Sequence, residues 1–291
     1  MPAATSSSRA VLITGCSSGI GAATARRLLV DGWDVWATAR DPGRLEELRA
    51  AGCRTLALDL TDSASMAAAV AALEAEQGAV GALVNNAGYS QSGAFEAVPM
   101  ERVRAQFETN VFGLVELTQL VLPGMRRRRA GRIVNLSSMG GRLVFPGGGF
   151  YHATKHAVEA LSDALRFEVR GYGIQVVVIE PGLIRSGFGD AAAASIAARP
   201  EVGTEYDDFN AAVAKATRES YERGAAARLA GSPDDVARAI GRALAARHPK
   251  ARIKVGPSAR LLLAQRRWSS DRAWDWFLRQ SFPSPGADDR E

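Results

Sequence analysis

The chain has 291 residues, of which 47% are hydrophobic, so it can bury the core of one large domain. It holds no apolar run of about 18 residues, and residues 1–9 lack the apolar segment of a signal peptide, which predicts neither a membrane span nor secretion. The net charge is +5, and no aromatic residues interleave with the arginines at 126–129, so this run predicts a solvated helix end rather than a nucleic-acid surface.

Cysteine is scarce in the chain. The two cysteines, Cys16 and Cys53, lie in a predicted glycine turn and just before a predicted strand. Such sparse use fits a reducing compartment better than a disulfide scaffold, so we predict a cytoplasmic protein.

Short apolar runs alternate with helical patterns along the chain. The runs lie at residues 11–14, 34–39, 55–60, 82–85, 132–137, 175–180 and 252–256. Apolar strands without polar alternation are buried on both faces of a sheet, and helices between them make the strands parallel. The sequence therefore predicts an α/β fold, with a doubly wound Rossmann sheet of seven parallel strands in a single domain.

Three segments depart from this repeat. Residues 1–8 predict a disordered tail, and residues 187–231 are Ala-rich with aromatic insertions, which predicts a helical lid over a ligand cleft. Ser232 has the sequence context of an N-cap that starts the next helix. Residues 257–291 carry leucines and tryptophans among arginines, which predicts an amphipathic helical tail. This tail either docks on the same or a neighbouring subunit, the commoner arrangement, or touches a membrane surface.

A glycine-rich turn follows the first apolar run, with Gly15, Gly19 and Gly21 where a strand passes into a helix. In such a turn, backbone N–H groups at the helix N-terminus bind a pyrophosphate. The spacing differs from G-x-G-x-x-G, and a tight structural turn is the alternative interpretation.

The end of the second strand indicates which dinucleotide the turn would bind. An acidic residue there would bind the ribose 2′-hydroxyl of NAD, whereas a cation would bind the 2′-phosphate of NADP. The chain has Ala39 and Arg40 at this point, followed by Asp41 in a pattern typical of a helix cap. We therefore predict NADP rather than NAD, with an arginine that merely caps the strand end as the alternative.

Tyr151 and Lys155 are four residues apart in a predicted helix, which places them on one helix face. Free tyrosine has a pKa of about 10, and a neighbouring ammonium favours its phenolate. Taken alone, such a pair is either a tuned acid or a surface packing pair.

Further motifs accompany this pair. The motifs are T-G-C-S-S-G-I-G at 14–21, N-N-A-G at 85–88, Asn110, Ser138, Y-H-A-T-K at 151–155 and P-G at 181–182. In this order and at this spacing, the chain resembles the short-chain dehydrogenase/reductase family over residues 9–256. It is most similar to bacterial members grouped with 17β-hydroxysteroid dehydrogenases. The resemblance implies that residues 9–256 form a Rossmann-type catalytic domain and residues 257–291 an extension.

The resemblance implies four catalytic roles. Tyr151 would donate a proton to a carbonyl oxygen in reduction, and Lys155 would lower the phenol pKa and bind the nicotinamide ribose. Ser138 would hydrogen-bond the substrate oxygen, and Asn110 would hold a water that links Lys155 to solvent. The hydride would come from the nicotinamide.

The resemblance also implies a set of cofactor-binding residues. They are Gly15, Ser17, Ser18, Gly19, Ile20, Gly21 and Arg40 near the phosphates, Asp59, Leu60, Asn86, Ala87 and Gly88 near the adenosine, and Tyr151, Lys155, Pro181, Gly182, Ile184 and Ser186 near the nicotinamide. Ser186 stands where the family usually has threonine, and its hydroxyl can still hydrogen-bond the carboxamide.

We therefore predict an NADP-dependent oxidoreductase that transfers a hydride between nicotinamide and a ketone or secondary alcohol. Four aromatic residues of the predicted lid, Phe188, Tyr206, Phe209 and Tyr221, favour a hydrophobic or polycyclic substrate, although they would equally pack the lid onto the sheet. The alternatives are a redox-neutral member of the family, such as an epimerase with retained cofactor, and a non-catalytic NADPH-binding or scaffold protein.

Other partners follow from the same patterns. We predict no metal, since His152 and His156 lack a third ligand at a useful spacing. Helices expected at about 100–124 and 150–170 carry small and apolar residues of the kind through which the family pairs protomers. They predict a homodimer or homotetramer, although a buried core explains the same pattern. A small-molecule ketone or alcohol is the remaining expected partner, with no nucleic acid and no membrane.

Overall fold

Seven parallel strands form one sheet in the computed structural model, which describes residues 8–196, 205–222 and 227–285. The strands are β1 Ala10–Ile13, β2 Asp34–Ala39, β3 Arg54–Ala57, β4 Ala82–Asn85, β5 Gly131–Leu136, β6 Ile174–Pro181 and β7 Arg252–Val255. Their order is β3-β2-β1-β4-β5-β6-β7, and every neighbouring pair is parallel. The predicted α/β fold with seven parallel strands in one domain is confirmed.

Helices cover both faces of the sheet. They are α1 Gly19–Val30, α2 Glu46–Ala50, α3 Ser63–Gln77, α4 Met100–Phe107, α5 Gly113–Arg128, α6 Gly149–Glu168, α7 Phe188–Ala194, α8 Asp207–Glu222, α9 Pro233–Ala245, α10 Pro257–Trp268 and α11 Asp271–Arg279. Alternate residues of β1 point to opposite faces: Val11 and Ile13 join a buried cluster with α1 and α9, whereas Ala10 and Leu12 join one with α3 and α5. Burial on both faces explains why the strands lack polar alternation.

A crevice forms between β1 and β4, where the strand order of the sheet reverses direction. The chain moves outward from β1 to β3 and then returns to the other side of β1, so the connections that leave β1 and β4 diverge. Thr14 joins the two strand ends, because its hydroxyl accepts hydrogen bonds from the N–H groups of Asn86 and Ala87, both at 3.0 Å. The glycine turn and the N-N-A-G motif are therefore held side by side.

Helices α7 and α8 lie within the segment predicted to be a lid, although its residues 197–204 and 223–226 lie outside the described residues. Phe209 of α8 packs in a buried cluster with Ala94, so part of the aromatic pattern reflects packing, as the alternative interpretation held. The predicted cap at Ser232 is confirmed, since Ser232 and Asp235 form a reciprocal capping box at the start of α9.

The C-terminal extension, defined as residues 257–285, docks on its own chain through Trp274. This side chain is 4% exposed, and its indole N–H donates to the Val144 carbonyl at 3.4 Å. Its ring packs against Phe145 and Phe277, with centroids 6.0 and 5.1 Å away. The docked-helix interpretation therefore applies to the described part of the tail.

The predicted tails reach beyond what the structure describes. Residues 1–7 of the N-terminal tail and residues 286–291 lie outside the described residues. Among the helices that are described, none is long and apolar enough to span a membrane. Cys16 and Cys53 are both free and buried, and burial raises the pKa of the Cys16 thiol to about 12.

Candidate active site

A cleft of about 1440 Å³ opens at the carboxyl ends of the strands. It is larger than the roughly 300–1,000 Å³ of an ordinary small-molecule pocket, which suits an extended ligand together with a second molecule. Every predicted cofactor residue from Gly15 to Ser186 lines it, and so does Ser138. Asn110 is the one predicted site residue that does not.

The glycine turn between β1 and α1 has no space for a side chain at Gly15 or Gly21. Gly15 has a φ of +71°, and a Cβ on Gly21 would lie only 2.2 Å from the Gly15 carbonyl oxygen. The side chain of Ser18, the N-cap of α1, makes no cap hydrogen bond, and the first turn of α1 holds no acidic residue. The N–H groups at this helix start therefore have no anionic partner from the turn itself. Both the close backbone packing and the polarity fit a pyrophosphate.

Asn86 fixes the glycine turn from the side of β4. Its amide donates to the carbonyl oxygens of Thr14 at 2.8 Å and Gly15 at 3.1 Å. The preceding residue, Asn85, faces away from the cleft and donates to Asn135 at 2.9 Å within the core. The N-N pair thus divides into one residue that holds the turn and one that joins two strands.

The residues at the ends of β2 and β3 fit a phosphorylated ribose. Arg40 is exposed and lines the cleft. The Asp41 carboxylate accepts a hydrogen bond from the Gly43 N–H at 2.9 Å, which confirms its predicted role as a cap. The Asp59 carboxylate accepts from the N–H and hydroxyl of Thr61 at 2.9 and 2.8 Å. With both acids occupied by the chain, the guanidinium is the group suited to a 2′-phosphate.

The loop after β6 forms the opposite end of the predicted cofactor site. The Ser186 hydroxyl donates to the Ile184 carbonyl at 3.4 Å. Gly182 packs tightly against α10, because a Cβ there would lie 2.3 Å from the Ser258 hydroxyl oxygen. That hydroxyl accepts a hydrogen bond from the Leu183 N–H at 2.9 Å. The C-terminal extension therefore supports this loop directly.

Tyr151, on α6, lies close enough to Ser138 for their hydroxyl groups to interact. The Ser138 oxygen also accepts from the Gly140 N–H at 3.0 Å, which fixes its position. Burial first, and the neighbouring Tyr221 second, raise the pKa of Tyr151, while the nearby Ser138 hydroxyl opposes the rise. Desolvation is therefore the dominant influence on this phenol, and the lowering of its pKa by Lys155 stays a prediction. The phenol stays protonated at neutral pH and is a proton donor.

Lys155 lies one turn further along α6 and is 5% exposed. Its Nζ donates to the Leu136 carbonyl at 2.8 Å and lies 5.8 Å from the centroid of the Tyr151 ring. Burial lowers the pKa of Lys155 to about 8, and the charge of Glu159 opposes this. Most of the amine is therefore still protonated at pH 7, so a positive charge lies beside the phenol. Lys155 is buried and Tyr151 is half-buried on the wall of the cleft, which excludes the surface packing interpretation.

The family follows from a comparison of the whole pattern. The model of the short chain dehydrogenase family matches residues 9–196, which include the glycine turn, Ser138, Tyr151 and Lys155. The chain belongs to this family. As a short-chain dehydrogenase it is an oxidoreductase, and the predicted family is confirmed.

Several known short-chain dehydrogenases are similar over nearly the full chain. The 3-ketodihydrosphingosine reductase of Bacteroides thetaiotaomicron is 37% identical over 272 residues, which cover 92% of this chain and 96% of that protein. The NADPH-dependent 3-dehydrocapnine reductase of Ornithobacterium rhinotracheale is 35% identical over 276 residues, covering 92% and 95%. A solved short-chain dehydrogenase from Streptomyces avermitilis has a TM-score of 0.76 at 34% identity and covers 95% of this chain and 96% of its own. The 17β-hydroxysteroid dehydrogenase subgroup stays a prediction.

In this short-chain dehydrogenase, Asn110 lies behind the wall of the cleft. It is 1% exposed, in a π-helical turn at Glu108–Phe112 that interrupts the helix predicted over 100–124. Its amide accepts from the Tyr89 N–H at 3.1 Å and donates to the Tyr89 carbonyl at 2.8 Å and to the Thr154 hydroxyl at 3.2 Å. The side chain thus ties α6 to the loop after β4, and the water-holding role inferred for Asn110 stays a prediction.

The two histidines beside Tyr151 bond to the backbone. His152 lines the cleft, its Nδ1 accepts from the Phe145 N–H at 3.3 Å, and burial, then His156, lowers its pKa to about 4. His156 Nδ1 lies 2.9 Å from the His152 carbonyl oxygen. Over the described ranges, no three His, Cys, Asp or Glu side chains are grouped to hold a metal.

The C-terminal extension lines part of the cleft, and no sequence motif indicated this. Its apolar cleft residues are Leu262, Phe277, Leu278 and Phe282. The spacing of leucines and aromatics predicted amphipathic helices, but amphipathicity indicates that one face is buried and not what covers it. The position of these helices on the cleft is a tertiary property.

Proposed function

We propose that this short-chain dehydrogenase is an NADPH-dependent reductase of ketones that carry a large hydrophobic group. The observation that carries the proposal is that Ser138 and Tyr151 line the same cleft, with the buried Lys155 amine 5.8 Å from the centroid of the Tyr151 ring. A binding protein without catalysis has no need of a half-buried phenol beside a buried amine.

The proposed chemistry is divided among these three residues. A substrate carbonyl oxygen would accept hydrogen bonds from the Ser138 and Tyr151 hydroxyls, which stabilise the charge that develops on the oxygen. The nicotinamide, when bound, supplies the hydride. Tyr151 then gives its proton to the oxygen, and its raised pKa keeps that proton in place until the transfer. The Lys155 ammonium stabilises the phenolate that remains.

The choice of NADPH over NADH rests on Arg40. The neighbouring Asp41 is held by the Gly43 N–H, and one relative is named as NADPH-dependent. A hydrogen bond to a charged group contributes about 1.5–3 kcal/mol, so Arg40→Ala should weaken NADPH binding by roughly tenfold at this exposed position and leave NADH binding unchanged. Arg44→Ala, a nearby exposed arginine that does not line the cleft, is the matched control. Equal losses for the two nucleotides would contradict this role.

A hydrophobic substrate is supported by the rings around Tyr151. The Phe188 ring lies 5.4 Å from the Tyr151 ring, and Tyr221 lines the same part of the chain's cleft. The two relatives are named as reductases of a 3-keto and a 3-dehydro compound. Dihydrosphingosine has a long alkyl chain, so we favour an alkyl ketone over a polycyclic one.

Initial rates of NADPH and NADH oxidation test this function. The panel consists of small polar ketones, linear alkan-2-ones and cyclic ketones. We expect the fastest turnover with NADPH and hydrophobic ketones, and loss of most turnover in Tyr151→Phe with nucleotide binding retained. Turnover confined to small polar ketones would refute the substrate class, faster oxidation of NADH would refute the cofactor, and a fully active Phe variant would refute the mechanism.

We also propose that the protein is a homodimer or homotetramer. Three large apolar side chains are exposed on or near α6: Phe112, Leu161 and Phe167 are 54%, 40% and 81% exposed. Exposed apolar side chains on the helices expected to pair support a protomer contact there. Light scattering at micromolar protein tests it, and a strictly monomeric mass would contradict it. The cytoplasmic location stays a prediction.

A further inference from the structure

We propose that the C-terminal extension and α8 form an apolar arm of the cleft that holds an unbranched alkyl chain of the substrate. This inference rests on the proposed function, because it specifies the hydrophobic group of the ketone. The apolar side chains of the arm are Leu262, Phe277, Leu278 and Phe282 of the extension and Val213 and Tyr221 of α8.

The arm starts at the catalytic tyrosine. Tyr151 and Tyr221 line the same cleft. Phe188 connects them, since its ring lies 5.4 Å from that of Tyr151, and a Cβ on the next residue, Gly189, would lie 2.5 Å from the Tyr221 ring. The same Tyr221 side chain packs, partly buried, against the cluster that anchors the extension. A carbonyl group at Tyr151 would therefore have Tyr221 as a neighbour, and Tyr221 in turn contacts the cluster of the extension. The arm is continuous with the site of the chemistry.

The inner wall of the arm is held rigidly. A buried cluster of Met139, Leu183, Leu263 and Trp274 joins the extension to the loops that follow β5 and β6. The three lining residues from α10 and α11 pack on this cluster, while each remains only partly buried. Side chains held from behind in this way present a preformed apolar surface to a ligand.

Phe282 joins the extension to α8 at the end of the arm. This residue lies beyond α11 and packs against the cluster that contains Phe209 and Val213 of α8. The extension and α8 are thus two walls that meet at Phe282. An occupant of the arm is covered on both sides, as an alkyl chain requires for its removal from water.

The distribution of polar groups fits a chain rather than a polar ligand. Six polar side chains from α8 and the extension line the cleft: Lys215, Thr217, Glu219, Ser220, Gln280 and Ser281. Four of them are exposed, whereas Thr217 and Ser220 are half-buried, and the Ser220 hydroxyl donates to the Ala216 carbonyl at 2.7 Å. The apolar lining residues are more deeply placed. Methylene groups gain free energy in such surroundings, whereas a polar group that lost its water there would find few partners.

Binding of a homologous ketone series tests the arm. The dissociation constants of hexan-2-one, octan-2-one and decan-2-one are measured by calorimetry on the full chain, with and without NADP⁺. No ketone is reduced under either condition, because the oxidised cofactor has no hydride to donate. We expect affinity to rise by up to about fourfold per added methylene, the fold-change that corresponds to about 0.8 kcal/mol per buried CH₂.

Two adjacent leucines provide a matched pair of variants. Leu262 lines the cleft, whereas Leu261 is 54% exposed and does not. Leu262→Trp should fill the arm and bring the affinity ratio of decan-2-one to hexan-2-one close to one, while Leu261→Trp should keep the wild-type ratio. Leu262→Ala adds no bulk and should reduce the affinity ratio of decan-2-one to hexan-2-one several-fold. It therefore still tests the arm if the Leu262→Trp variant does not fold.

The outcomes separate the arm from the reductase. No dependence on chain length in the wild type, or an unchanged ratio in both Leu262 variants, would overturn the arm. If ketones are reduced but their affinities do not depend on chain length, the arm is refuted and the reductase activity stands. Affinities that follow chain length without NADPH oxidation would refute the reductase and leave the arm as a binding site for alkyl chains.

Discussion

Replacing Gly21 by alanine tests whether the glycine turn is shaped for a pyrophosphate. The new Cβ would lie 2.2 Å from the Gly15 carbonyl oxygen and 2.6 Å from the Asn86 amide nitrogen. A backbone oxygen cannot rotate away, so the turn and the amide that holds it must shift. Overpacking of this kind costs about 1–3 kcal/mol. Since each kcal/mol shifts the Tm of a large domain by roughly 2–4 °C, we expect Gly21→Ala to melt roughly 2–12 °C below the wild type.

The assay is thermal unfolding with and without NADPH. A ligand at about a hundredfold its Kd adds about 2.7 kcal/mol to the free energy of unfolding, and the displaced turn of Gly21→Ala should lose most of this gain. Gly149→Ala is the control, because a Cβ on Gly149 would meet nothing within 4 Å, and it should keep both stability and the gain. A Gly21→Ala protein with wild-type Tm and full stabilisation by NADPH would refute the reasoning.

Two further predictions concern buried charges. The pKa of Lys155 falls from 10.5 to about 8 on folding, so the unfolded chain binds more protons between these values and wild-type stability should rise with pH there. Lys155→Met should therefore raise the Tm at pH 7, with a difference that shrinks above pH 8; a difference independent of pH would contradict the buried charge. Arg252 pairs with Glu159 at 2.8 Å and lies 3.6 Å from the fully buried Glu180. Arg252→Gln should cost about 3–5 kcal/mol in urea unfolding at neutral pH, whereas Arg26→Gln, which breaks an exposed pair, should cost less than about 1 kcal/mol; equal costs would contradict the account.

The parts of the site that sequence predicts are those fixed by local chemistry. The glycines of the turn are required by backbone approach at that point of the chain, as the φ of Gly15 and the position of Gly21 show. Arg40 follows directly from the end of β2, and Asp41 from the cap beside it. The positions of such residues in the site are determined by their immediate neighbours in the chain, so a sequence motif is enough to predict them.

The parts that sequence does not predict depend on burial by distant segments. The phenol of Tyr151 is raised in pKa by desolvation and by Tyr221, which lies on another helix. Asn110 has the predicted position in the chain but is covered by the loop of Tyr89. Leu261 and Leu262 are identical in type and adjacent, and only the docking of α10 decides which of them lines the cleft.

The transfer of deuterium from NADPH labelled at nicotinamide C4 tests the central claim most directly. The protein is incubated with labelled NADPH and decan-2-one, and the products are analysed by mass spectrometry, with Tyr151→Phe as control. We expect an alcohol with a single deuterium on the carbinol carbon, one NADP⁺ for each alcohol, and almost no product from the variant. A substrate that changes without net NADPH oxidation would indicate a redox-neutral reaction instead. No product from any ketone, with NADPH bound, would contradict the reductase altogether.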